Sequence, residues 1–180
     1  DTLLFLVILN PFAQMVYLSG LINDTEKKQF VQIFMQATFL TFAVYVACAL
    51  VGDILLFKLF QVSLPAMRIF GGLVTLNLAF LYVLKGPQGL RLFSGDVGEL
   101  AQQIALPVMV GAGGVWIAMK MGNSHPPVLT ATGIAVVLLI NAAFVLGYHQ
   151  LYKSATGDIE VAIRKYFGML MRFNALLIGA

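Results

Sequence analysis

Charge is scarce in this chain. Of 180 residues only 11% are Asp, Glu, Lys or Arg, while 60% are hydrophobic and the mean hydropathy is +0.91. About a quarter of an ordinary soluble domain is charged, so a soluble globular protein is excluded. The net charge of +3 and the pI of about 9.1 rest on very few groups. They read as topology signals in loops, not as a nucleic-acid footprint. Cysteine is scarcer still. Cys48 stands alone inside an apolar run, which rules out an internal disulfide and a CxxC redox pair. The two histidines, His125 and His149, are isolated and lack metal-site spacing. There is no GxSxG, no HExxH and no GxxxxGK[ST] loop. The expectation is therefore no enzyme, no cofactor and no metal, with any work drawn from a gradient or from another chain.

What the chain has in quantity is long apolar runs. A bilayer core takes roughly 20 apolar residues of helix. Several runs reach that length, and polar breaks mark off six candidate helices: Leu3 to Ile22, Phe30 to Phe57, Leu64 to Leu84, Ile104 to Met119, Val128 to Leu151, and a last one from Ile163. The runs are continuous and do not alternate at period two, which disfavours a β-barrel. The first begins without a basic n-region or a small-residue cleavage site, so no cleaved signal peptide is expected. Basic residues in short loops set orientation. Lys27, Lys28, Lys85, Arg91, Lys153, Arg164 and Lys165 fall in loops one, three and five, against Lys58, Arg68 and Lys120 on the other side. Loops one, three and five are thus predicted to be cytoplasmic, with the N-terminus outside.

The two halves resemble each other. Pro107 follows Pro11 by 96 residues, Gly147 and Lys153 follow Gly52 and Lys58 by 95, and Phe167-Gly168 and Asn174 follow Phe70-Gly71 and Asn77 by 97. Each unit holds three helices, and an odd number inverts the second unit in the membrane. The prediction is an all-α integral membrane protein of six helices in two inverted repeats, as in many secondary transporters. It forms a single membrane domain over 1–180, with repeat one at about 1–85, a cytoplasmic loop at about 86–102 and repeat two at about 103–180.

The repeat gives the odd residues of the first and fourth spans a meaning. "LNPFAQ" places Pro11 between Asn10 and Gln14, and "LPVMVGAGG" places Pro107 ahead of Gly111, Gly113 and Gly114. Proline removes a backbone donor and clashes with the preceding turn. Irregular backbone at membrane depth survives only where protein buries it or a cavity wets it. Helices one and four are therefore predicted to be broken, exposing dipole ends suited to a carboxylate or a cation. Matching interruptions in two halves point to a transporter's binding site. A plain kink, or glycine used for close packing, is the simpler alternative.

Individual residues refine this reading. Asn10 and Gln14 lie four apart and on a helix would share a face, serving either a zwitterion or a neighbouring helix. Asn77 and Asn174 either line a polar cavity or bond to each other. Asp53 is acidic within an apolar run and either pairs with Arg68 as a gate or carries a coupling ion, H+ or Na+. Arg172 lies nine residues into the sixth span, about 13 Å along it, where charge is expensive. It would hold a substrate carboxylate or answer Asp53. Trp116, Met119 and Met121 read as packing.

At "LNPFAQMVYLSGL", "MRIFGGLVTLNLAFLYVL" and "ALPVMVGAGGVWIA" the sequence resembles the MarC family. That family includes SnatA-like neutral amino acid transporters and is related to the LysE exporter superfamily. The resemblance covers the whole chain in order and spacing. Asn10, Pro11, Gly71, Gly72, Pro107, Gly111 and Gly113 match its motifs, whereas Ala13-Gln14 replaces a Gly-Asn type pair and Ala112 replaces a proline. It implies six helices in inverted repeats, with Gly71, Gly72 and Gly168 serving helix packing. It also implies a small-solute transporter of the inner membrane, with neutral amino acids such as alanine or glycine as substrate and room for a homo-oligomer. The rival reading is a structural or regulatory membrane subunit whose broken helices dock a partner.

Overall fold

A computed structural model describes residues 2–52, 54, 66, 69, 72, 73, 76, 80, 95–154, 166 and 169. The described elements are helical throughout. They are α1 (Thr2–Leu9), α2 (Pro11–Tyr17), α3 (Ser19–Asp24), α4 (Lys27–Gly52), α5 (Val97–Ile104), a π-helical turn (Ala105–Met109), α6 (Ala112–Ser124) and α7 (Pro127–Ser154). Two of them, over Lys27–Val51 and Pro127–Ser154, are long and apolar enough to cross a membrane. The first expected span is three short helices, with an apolar stretch over Thr2–Met15 that crosses the first two. The third and sixth expected spans lie outside the described residues, apart from isolated positions.

Local sequence explains where the helices start and stop. Asp96 caps α5, accepting from the Glu99 N–H at 2.8 Å. With Glu99 in the first turn, "DVGE" is a capping-box pattern. This helix therefore begins inside the polar stretch read as a loop from about 86 to 102. Pro126 follows the end of α6 at Ser124, and Pro127 opens α7, where a missing N–H is harmless. Thr130 closes that turn by donating to the Met121 carbonyl at 3.1 Å.

α4 is the hub. It packs against α5, the π turn, α6 and α7. Its buried residues Phe30, Ile33, Phe34, Ala37, Thr41, Tyr45 and Ala49 recur every three or four positions, as one helical face requires. The other face shows Met35, Phe39, Leu40 and Leu50. α7 likewise buries Thr130, Asn141 and His149 and exposes Val128, Leu129, Leu139, Phe144 and Leu151. Polar groups inside and large apolar groups outside suit lipid as the solvent, because the outward faces need no water.

Contacts fix relative directions. Thr41 meets Met109, Tyr45 meets Gly114 and Ala49 meets Gly122, so α4 runs parallel to the π turn and α6. A Cβ on Gly122 would collide with the Ala49 carbonyl, so this approach of two backbones needs glycine. Gln14 meets Asn141 and Asn23 meets Lys153, so the first segment runs parallel to α7. α7 folds back on α6 through Thr130 and Met121. The first segment and the α5–α6 segment are therefore antiparallel.

Candidate functional site

Both expected interruptions are present. In the first segment the chain leaves the helix at Asn10, whose φ of +45° is the one positive value at a non-glycine residue among those described. Asparagine tolerates this left-handed conformation better than most residues. Asn10 ends α1 and starts α2 at once. Its N–H bonds to the Leu6 carbonyl at 3.2 Å, and its Oδ1 accepts from the Ala13 N–H at 3.1 Å. Pro11 then takes the first helical position, as its fixed φ favours.

The carbonyl freed at the end of α1 is met by a side chain. Gln14 donates from Nε2 to the Leu9 carbonyl at 2.9 Å, and its Oε1 accepts from Asn141 Nδ2 at 2.9 Å. Gln14 is 1% exposed and Asn141 is fully buried. A chain of amides thus ties the first break to α7. Asn10 lies at the break and Gln14 one turn beyond it, its N–H bonded to the Asn10 carbonyl at 3.2 Å, so no uninterrupted helix carries both.

The second interruption is built differently. Pro107 cannot donate to a helical ladder, and it lies in the π turn, where the Val110 N–H reaches back five residues to Ala105 at 2.8 Å. Val110 and Gly111 then leave the helix, with Gly111 extended at φ −96° and ψ 160°. The Tyr45 hydroxyl donates to the Met109 carbonyl at 2.7 Å, and the Thr41 hydroxyl lies 3.5 Å from the Met109 sulfur. The N-cap of α6 is Gly111, which brings no side-chain acceptor. The first-turn N–H groups of Ala112, Gly113 and Gly114 therefore have no side-chain cap at this end. A helix N-terminus in that state favours an anion.

The two breaks lie together. A Cβ on Gly113 would come within 3.0 Å of Ile8 Cγ2. Phe5 of α1 sets its ring edge-on to Tyr45 at 4.9 Å between centroids. A Cβ on Gly114 would strike the Tyr45 ring and hydroxyl. So α1, α4, the π turn and the start of α6 converge on Tyr45. Asn10 is partly exposed and Gly111 exposed, whereas Pro11, Gln14 and Gly114 are buried.

Asp53, Arg68, Gly71, Asn77, Gly168, Arg172 and Asn174 lie outside the described residues. Gly72 is exposed, and a Cβ there meets nothing within 4 Å. Two residues that hold the breaks were not among the candidates: Tyr45 and Asn141. A signal for both existed. Asn141 follows Tyr45 by 96 residues, the spacing of Pro107 after Pro11, and each is polar within an apolar run.

The chain matches the family model described as MarC family integral membrane protein over residues 1–177. It is similar to a UPF0056 membrane protein of Pyrococcus horikoshii, 24% identical over 149 residues, covering 81% of this chain and 73% of the relative. No solved structure matches it.

Proposed function

The chain belongs to the MarC family of integral membrane proteins, and from that premise we propose that it is a secondary transporter of small neutral amino acids. The single observation that carries this reading is the meeting of two interrupted, antiparallel segments, one of which ends in an uncapped helix N-terminus. The substrate carboxylate would bind the N–H groups of Ala112 to Gly114. Asn10, at the facing break, would take the remaining polar groups, with Pro11 and Pro107 setting the two breaks. Two segments of opposite direction can rock about such a site, which is what alternating access needs. The six-helix plan of inverted repeats, Asn77 and Asn174 as further lining, Asp53, Arg68 and Arg172 as gate or coupling groups, and H+ or Na+ as coupling ion all belong to this proposal. So does an inner-membrane location with loops one, three and five in the cytoplasm.

The test is counterflow into proteoliposomes of labelled alanine, glycine, serine and threonine, with and without sodium and proton gradients. Saturable uptake of at least one is expected. Flat traces for all four defeat the substrate assignment, and an Asn10→Ala variant that loses assembly but no uptake points to the docking-subunit reading.

A further inference from the structure

Among the described residues, four buried side-chain nitrogen or oxygen atoms make no hydrogen bond of good geometry: the Tyr17 hydroxyl, Asn141 Oδ1 and both ring nitrogens of His149. Buried polar atoms nearly always find a partner, and an unmade bond costs more than a made one gains. All four atoms belong to α2 and α7, which pack against each other. The chemistry fixes which atom of Asn141 is left over. The Leu9 carbonyl can only accept, so it must face the Gln14 amide nitrogen. That turns Gln14 Oε1 toward Asn141, which must answer with Nδ2. Asn141 Oδ1 is an acceptor with nothing to accept.

These atoms follow a line. Asn141, Val145 and His149 are buried at i, i+4 and i+8, one stripe of α7 about 12 Å long. On the facing side Tyr17 follows Gln14 by one turn, and farther along the Lys153 ammonium donates to the Asn23 carbonyl at 2.9 Å. One end of the line is the first helix break. The other is the end of the bundle where α4 begins and α7 finishes. There His149 stacks on Phe30 at 4.3 Å and 13° between planes. The Thr25 main chain is placed to hydrogen-bond its ring as that end rearranges, and the charges of Lys27 and Lys153 are within electrostatic reach of it.

The geometry points to the α2–α7 seam as the closed half-path of the transporter. A small zwitterionic solute and its water move along it between the break at Asn10 and the end bearing Lys27 and Lys153, and the Phe30–His149 stack plugs the exit. This inference rests on the transporter reading. When the seam parts, the orphaned atoms gain partners: Asn141 Oδ1 accepts from the solute's ammonium group, and the Tyr17 hydroxyl and His149 ring bond to carboxylate or water.

Single cysteines at Tyr17, Asn141 and His149, in a Cys48→Ser background, test the path. Ala37 on α4 and Ile117 on α6, as deeply buried, serve as controls. In reconstituted vesicles treated with a membrane-impermeant cationic methanethiosulfonate, the seam positions should react about tenfold faster than the controls or more, as thiol access dictates. Saturating alanine should slow them. Seam and control cysteines reacting at equal rates overturn the path. Counterflow on the same vesicles separates the two readings. Uptake with an unreactive seam sinks the path alone, while a reactive seam with flat traces for all four amino acids defeats the substrate assignment and keeps the seam as the route of another small solute. Tyr17→Phe guards against misfolding. If Tyr17 is only structural, removing its orphaned hydroxyl leaves uptake unchanged; as part of the path, it lowers uptake several-fold without lowering the melting temperature.

Discussion

Tyr45 on α4 donates its hydroxyl to the main-chain carbonyl of Met109 at 2.7 Å, and so braces the end of the π turn at the point where the chain leaves the helix. The same carbonyl also takes the Gly111 N–H at 3.2 Å. A side chain from α4 therefore fixes the break between the π turn and α6, while Asn141 in α7 reaches the break between α1 and α2 through Gln14. Each interruption is braced by a polar residue distant in sequence.

Tyr45→Phe removes that bond and keeps the ring that Phe5 packs against. The Met109 carbonyl retains one partner, so the loss should be about 1 kcal/mol, the usual net worth of a hydrogen bond. A modest fall in melting temperature in detergent is expected, together with reduced uptake if the break positions the substrate. An unchanged melting temperature would show that water replaces the hydroxyl.

Gly114→Ala puts a methyl group against the Tyr45 ring and hydroxyl. Overpacking of this kind costs about 1–3 kcal/mol. Because both changes act on one contact, the double variant Gly114→Ala with Tyr45→Phe should be less unstable than the sum of the singles. Strict additivity in thermal or denaturant unfolding would mean that the two residues do not meet.

Asn10 offers two separable properties: a left-handed backbone and a capping oxygen. Asn10→Gly keeps the first and loses the second. Asn10→Ala loses both, with about 1–2 kcal/mol for the left-handed conformation added to about 1 kcal/mol for the cap. The expected order of stability is wild type, then glycine, then alanine. Equal unfolding midpoints for the glycine and alanine variants would argue against the φ of +45° at this position.

Gln14→Leu strands the Leu9 carbonyl and the Asn141 amide in a dry interior. The expected loss is about 1–3 kcal/mol, set by the groups left unpaired. Adding Asn141→Leu should then cost little more, since its partner is already gone. A full second loss in the double variant, measured by unfolding in detergent, would show that the two amides act independently.

Much of this was legible before any coordinates. Pro11 and Pro107 announced the breaks because proline lacks a donor wherever it lies, and "NP" at a break is the pairing of an N-cap with a first-turn proline. The capping pattern at Asp96 to Glu99 was legible too, although its polarity made it read as loop. Tyr45 and Asn141 were harder to see. A polar residue in a span says that something must satisfy it, not what. The partner of Gln14 lies 127 positions away, and no local rule reaches that far.

Composition by itself determined that the chain lives in lipid, because so few charges and such long apolar runs leave no other solvent for its surface. The order of residues marked where two helices lose a main-chain donor, at Pro11 and Pro107, since the missing proline N–H is a covalent fact. Only the tertiary structure decided that the failures meet at Ile8 and Gly113, that Tyr45 and Asn141 brace them, and that the orphaned polar atoms gather along α2 and α7. Those outcomes depend on which helix faces meet, and in an apolar sequence with nearly uniform helices the pattern of hydrophobicity does not choose a face.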